Sequence, residues 1–150
     1  MDRTDCNILA ELQQDGRLSL TDLAERVVIS LSSCQRRVRA LEQEGVISGY
    51  RAYLDPARFG LNFSAIVFVT LREGDRQAVS TFEAALKEIP QIIQAQRLFG
   101  DPDYLLHVIT RDLPAFQQLY DEKLSGMPGV QRLTSTLVMK TVVKDRALPV

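Results

Sequence analysis

A chain of 150 residues that is 45% hydrophobic and 25% charged has the composition of a globular protein of one moderate domain or two small ones, which excludes disordered, collagenous and low-complexity classes. No apolar run approaches the ~20 residues of a membrane-spanning helix, and the start Met1-Asp2-Arg3-Thr4-Asp5 lacks a signal peptide's apolar stretch, so a cytoplasmic protein without membrane contact is expected. With 18 Lys plus Arg against 19 Asp plus Glu, the net charge of -1 supplies no overall field for a polyanion, and any such binding must come from a local patch.

One His, two Cys and no Trp leave little material for a histidine-based active site, a metal knuckle or a disulfide framework. No catalytic residue, metal or cofactor is expected. Cys34 falls on an apolar stripe and reads as a core thiol, Cys6 has only Arg3 nearby to favour a thiolate, and His107 sits mid-strand as a packing residue.

Residues 3 to 14 place Ile8, Leu9 and Leu12 on one helical stripe that Asp15-Gly16 stops. Ser19 and Asp22 stand as a capping box, with Asp in place of Glu or Gln, before a short second helix with the stripe Leu20, Leu23, Ala24 and Val27. Ser30 then caps a third helix whose apolar positions are Leu31, Cys34, Val38 and Leu41, with Ile29 and Cys34 spaced as a hydrophobic staple. At about 100° per residue, this helix presents Ser32, Arg36, Arg39 and Gln43 opposite the stripe, with Arg37 on the flank. Gly45 ends it, and Val46 to Leu54 alternates loosely as a strand before Asp55-Pro56.

From Phe63 the pattern changes. Strand-like runs at Phe63 to Leu71, about Ile92 to Phe99, Tyr104 to Thr110 and Val130 to about Val143 are separated by two helical stripes. The first uses Ala78, Val79, Phe82, Leu86 and Ile89; the second uses Phe116, Leu119, Tyr120 and Leu124. The order strand, helix, strand, strand, helix, strand is the ferredoxin-like βαββαβ arrangement. The fold class is therefore α+β: an N-terminal helix-turn-helix domain at residues 1–47, a linker with a β-strand at 48–61, and a βαββαβ domain at 62–150. In that sheet Ala65, Val67 and Val69 oppose Ile66 and Phe68, and Leu106 and Val108 oppose Leu105 and Ile109, so both faces call for burial and a homo-oligomer is expected.

Three N-terminal helices with a short turn at Val27-Val28-Ile29 read as a helix-turn-helix whose third helix enters the major groove. The candidate DNA-contacting residues are Ser32, Ser33, Gln35, Arg36, Arg37 and Arg39, because guanidinium forks clamp guanine edges or phosphates while Ser and Gln hydrogen-bond bases or phosphates. A dimer would present two such helices to a pseudo-palindromic operator in double-stranded DNA.

Taken together, several segments resemble the Lrp/AsnC, or feast/famine, family of transcription regulators. Asp2-Arg3-Thr4-Asp5 with Ile8-Leu9 and Leu12-Gln13, Leu23-Ala24-Glu25-Arg26-Val27, and Arg37-Val38-Arg39-Ala40-Leu41-Glu42 before Gly45-Val46-Ile47 are similar to its winged helix-turn-helix domain. Gly49-Tyr50 with Leu54-Asp55-Pro56 is similar to its linker; Gly100-Asp101-Pro102-Asp103-Tyr104-Leu105-Leu106 and Pro128-Gly129-Val130 are similar to its effector domain. The resemblance implies a dimer that assembles further, often to an octamer, with DNA binding modulated by an amino acid or related metabolite held between subunits. It places Gly100, Asp101, Asp103, Tyr104, Thr134, Ser135 and Thr136 at the effector site. Backbone N-H groups at Gly100 suit a carboxylate, Asp101 suits an ammonium, and Thr134 and Thr136 share a strand face. The same loop also has the composition of an ordinary tight turn.

The chain departs from the family pattern at two places. Val28 stands where the turn usually carries Gly or Asn, and a β-branched residue resists positive φ, so a different turn geometry is expected. Ser30-Leu31-Ser32-Ser33-Cys34 lacks the two prolines common at the start of the recognition helix, so an operator sequence does not transfer. The alternative function is a sirohaem decarboxylase-like enzyme on the same scaffold, for which His107 is the only histidine available.

Overall fold

The computed structural model describes residues 1–150, which form two compact units: Met1–Tyr53 with Val142–Val150, and Leu54–Thr141. The first contains α1 (Arg3–Gln14), α2 (Leu20–Val27) and α3 (Leu31–Gln43). Each helix starts where a short polar side chain accepts from a backbone amide three residues on: Asp2 from Asp5, Ser19 from Asp22 and Ser30 from Ser33. The reciprocal capping box forms at Asp2 and Asp5 on α1. Ile8, Leu9, Leu23, Ala24, Cys34, Val38 and Leu41 bury together, as the three apolar stripes require, and burial pushes the Cys34 thiol pKa up.

The α2–α3 turn differs from expectation. Val28 adopts the left-handed conformation, φ 58 and ψ 53, as the glycine it replaces would. Its amide donates to Glu25 O at 3.2 Å and the Ile29 amide to Ala24 O at 3.0 Å, so the closing hydrogen bonds hold a β-branched residue where sterics oppose it. Val28 is 86% exposed, so its side chain offsets little of that strain. Val28→Gly is expected to stabilise the unit by about 0.5–1 kcal/mol after the added freedom of glycine in the unfolded chain is counted. Thermal unfolding checks this, and a fall in Tm would show that the strain is absent.

Two segments reach the first unit from outside the expected 1–47. Val46 to Leu54 carries no strand, so the unit is three helices with no wing strand. Instead Tyr50 lies beside Gly16 and donates its hydroxyl to Glu42 at 2.9 Å; desolvation and the Glu42 carboxylate push the phenol pKa up to about 12. At the other end of the chain, Gln13 holds Leu148 by both backbone groups, accepting from its amide at 2.6 Å and donating to its carbonyl at 3.1 Å.

The second unit is the βαββαβ fold. After a 3-10 turn at Pro56–Phe59 come β1 (Phe63–Leu71), α4 (Arg76–Lys87), β2 (Ile92–Arg97), β3 (Tyr104–Thr110), α5 (Leu113–Leu119) continued by a π turn at Tyr120–Leu124, and β4 (Val130–Leu137). The antiparallel sheet has the order β2-β3-β1-β4. Ala65, Val67, Val69, Leu106 and Val108 bury beneath the helices with Phe82, Phe116 and Leu124. The opposite face carries Ile66, Phe68, Leu105 and Ile109, each only half-buried. No helix is long and apolar enough to cross a membrane.

Candidate functional site

Helix α3 shows the separation its periodicity requires. Cys34, Val38 and Leu41 are buried, while Ser32, Gln35, Arg36 and Arg39 are exposed at spacings of three and four, one face of the helix. Neither Arg36 nor Arg39 has a carboxylate partner among the chain's ion pairs. Ser33 is half-buried, and its amide is taken by the Ser30 cap at 3.2 Å. The remaining amides of the first turn are left for an external acceptor such as a phosphate.

Arg37 is placed differently from its neighbours. Its Nη1 lies 2.8 Å from Asp2 Oδ2 and 2.7 Å from Asp5 Oδ1, tying α3 to the capping box of α1. The Asp5 amide and the Arg37 guanidinium together lower the Asp2 pKa, and the two carboxylates raise that of Arg37. This guanidinium is committed within the unit and positions α3 against α1.

The residues assigned to the effector site are divided by the sheet. Thr134 and Thr136 pair with Phe68 and Ile66 on the face away from the helices, whereas Ser135 pairs with Val67 on the helix-covered face. Asp101 is exposed at the β2–β3 loop, after Gly100 at φ 141 and before a cis peptide to Pro102. Asp103 ties the loop to the end of β1 and closes it on itself: its carboxylate accepts from the Leu71 amide at 2.7 Å, its amide donates to Val69 O at 2.9 Å, and its carbonyl accepts from the Leu98 amide at 2.7 Å. Tyr104 is 2% exposed, its ring 4.7 Å from that of Phe82 and its hydroxyl donating to Glu83 at 2.7 Å. Desolvation and then Glu83 push its pKa up to about 12. Asp103 and Tyr104 therefore fasten the loop, and Asp101 is the acid it displays.

Asp101 enters a groove that it shares with Thr70, Gln131 and Arg132. Composition offered no reason to select the last three, because strand pairing brings Thr70 and Arg132 together. His107 lies on the open face with Nε2 2.7 Å from Ser64 Oγ. No group of three or more His, Cys, Asp or Glu side chains is placed to hold a metal ion.

Comparison with known proteins matches residues 64–148 to the Lrp/AsnC ligand binding domain and residues 1–48 to a winged helix-turn-helix DNA-binding model. The chain belongs to the Lrp/AsnC family. It is 39% identical to the Bkd operon transcriptional regulator of Pseudomonas aeruginosa, over 99% of this chain and 97% of that protein. It is 38% identical to the leucine-responsive regulatory protein of Salmonella typhimurium, over 99% of this chain and 90% of that one. A Neisseria meningitidis transcriptional regulator solved as a complex with L-Met superposes with a TM-score of 0.94 at 35% identity, covering 99% of this chain and 96% of that one. An AsnC family regulator from Agrobacterium tumefaciens gives 0.93 at 30% identity, covering 99% and 97%. As a member of the Lrp/AsnC family the chain is a DNA-binding transcriptional regulator with a ligand-binding domain, and the decarboxylase alternative finds no support among relatives that are themselves transcriptional regulators.

Proposed function

We propose that this regulator acts in the cytoplasm as a homodimer, with further assembly to an octamer, on pseudo-palindromic operators, and that an amino acid bound in the ligand-binding domain gates its DNA affinity. The observation that carries the reading is the exposed Ser32, Gln35, Arg36 and Arg39 face of α3, free of internal ion pairs. The half-buried apolar residues Ile66, Phe68, Leu105 and Ile109 support a second copy covering the sheet. Exposed Asp101, Thr134 and Thr136 support a polar ligand at the edge of that covered face. An effector held there changes DNA affinity only if it binds the DNA-competent and incompetent assemblies unequally, which a shift in subunit orientation would achieve.

The test is a thermal-shift screen against the twenty L-amino acids, followed by duplex retardation with each binder. A ligand at ~100 times its Kd stabilises the native state by about 2.7 kcal/mol, or ~5–10 °C in Tm for a chain of this size. That shift is expected to disappear in Asp101→Ala or Thr134→Ala. Specific retardation unaffected by any amino acid would reject the gating.

A further inference from the structure

The chain crosses between its two units twice, after Tyr53 and again after Thr141. The first crossing lies in a stretch without helix or strand, between the end of α3 at Gln43 and the turn at Pro56. The second follows β4, which ends at Leu137, and returns Val142–Val150 to the helix-turn-helix unit. There the Gln13 side chain accepts from the Leu148 amide at 2.6 Å and donates to the Leu148 carbonyl at 3.1 Å, a contact between residues 135 apart in sequence.

A primary amide carries an acceptor and a donor side by side, so it engages both main-chain groups of one residue as a neighbouring strand would. The residue before a proline is held extended, so Pro149 presets Leu148 for that contact and lowers the cost of ordering it. Apolar burial adds little: Leu148 is 71% exposed, and Ala147 alone among residues 142–150 is half-buried. The tail is fastened by a clasp of two solvent-facing hydrogen bonds, and the Gln13 side chain makes no others.

We propose that the tail is a strap on the DNA-reading unit, and that Gln13, acting through it, is a positioning residue for operator binding. The proposal rests on the dimeric DNA-binding reading above. A unit joined by one flexible crossing searches a wide volume, which lowers the effective concentration of the second recognition helix at its half-site; a second attachment narrows that search. Two exposed hydrogen bonds move an equilibrium by about tenfold, so one substitution suffices to open the strap.

The experiment compares the full chain with Gln13→Met, which keeps the length and helix propensity of Gln without its hydrogen bonds, and with a chain ending at Ala147. Millisecond hydrogen exchange of the C-terminal peptide, read by mass spectrometry, reports the clasp. Fluorescence anisotropy reports affinity for duplexes carrying one or two half-sites of an operator that the native chain selects from random DNA. Tail exchange is expected to quicken by about tenfold in Gln13→Met. Affinity for two half-sites is expected to fall by about three- to tenfold in both variants, with the single half-site bound as before. Unchanged exchange in Gln13→Met would overturn the clasp, and undiminished two-site affinity with the tail released would overturn the strap. Equal weakening on one and two half-sites would overturn it as well, confining the effect of Gln13 to its own unit. A native chain that gains nothing from a second half-site would reject the dimeric reading, while the exchange measurement still decides the clasp.

Discussion

The double substitution Arg36→Ala with Arg39→Ala is expected to lower specific duplex affinity by about a hundredfold or more, measured by fluorescence anisotropy at fixed salt. A guanidinium that forks onto a guanine edge contributes roughly 1–3 kcal/mol, and tenfold in affinity corresponds to about 1.4 kcal/mol. Both side chains are exposed on α3 without internal partners, so removing them leaves the three-helix core unaltered and the loss falls on binding. A salt titration separates their roles. An arginine on a phosphate reduces the slope of log K against log salt by about one and weakens all sequences alike, whereas one on a base relaxes specificity at one position. Unchanged affinity in the double variant would reject this face of α3 as the reading surface.

Arg37 is the internal control. Its guanidinium lies between Asp2 and Asp5, so Arg37→Met is expected to lower the melting temperature and to leave the salt slope of DNA binding intact. The sign with pH follows from Asp2, whose pKa is lowered in the folded state. Its contribution is complete above the ordinary carboxylate value and is lost as pH falls through the folded one; the methionine variant should lose the share of that acid-sensitive part that the guanidinium supplies and keep the larger share from the Asp5 amide.

The helices were legible because their signals are local. Asp2, Ser19 and Ser30 cap stripes of period 3.6, and the strand order follows from runs separated by Pro, Gly and Asp. What escaped depends on partners distant in the chain. A strand at Val46 to Leu54 needs a neighbour to hydrogen-bond, and the fold provides none, so Tyr50 packs by Gly16 instead. Val28 keeps the left-handed turn because the amides of residues 28 and 29 close onto α2, which local sterics alone would oppose. The Gly100-Asp101-Pro102-Asp103-Tyr104 motif was read as one unit, whereas its side chains divide between the loop surface and the fold's interior. Tyr104 begins β3 with even parity to Leu106 and Val108, which sends it into the core. The place of Gln131 beside Asp101 required the β1–β4 register, which no composition rule supplies.

Phe68→Asp is expected to convert the protein to a monomer at micromolar concentration, measured by light scattering, while far-UV circular dichroism stays unchanged. Phe68 is on the sheet face away from the helices and contributes nothing to the buried core of its own unit, so the fold tolerates a carboxylate there. In a dimer that stacks these faces, the same carboxylate is taken from water once per subunit without a partner, at an effective penalty of several kcal/mol per ion. Phe68→Leu keeps the apolar contact and should remain dimeric. Monomers lose the advantage of engaging two half-sites together, which for linked modules reaches about 10²–10⁴ in affinity, so the aspartate variant should bind DNA far more weakly although α3 is untouched. A dimeric Phe68→Asp would move the interface to another surface. The same face also carries Thr134, Thr136 and Arg132 along β4. A subunit packed over Phe68 therefore borders the groove, and in the monomeric variant amino-acid binding should weaken together with association, as two equilibria that share one surface must.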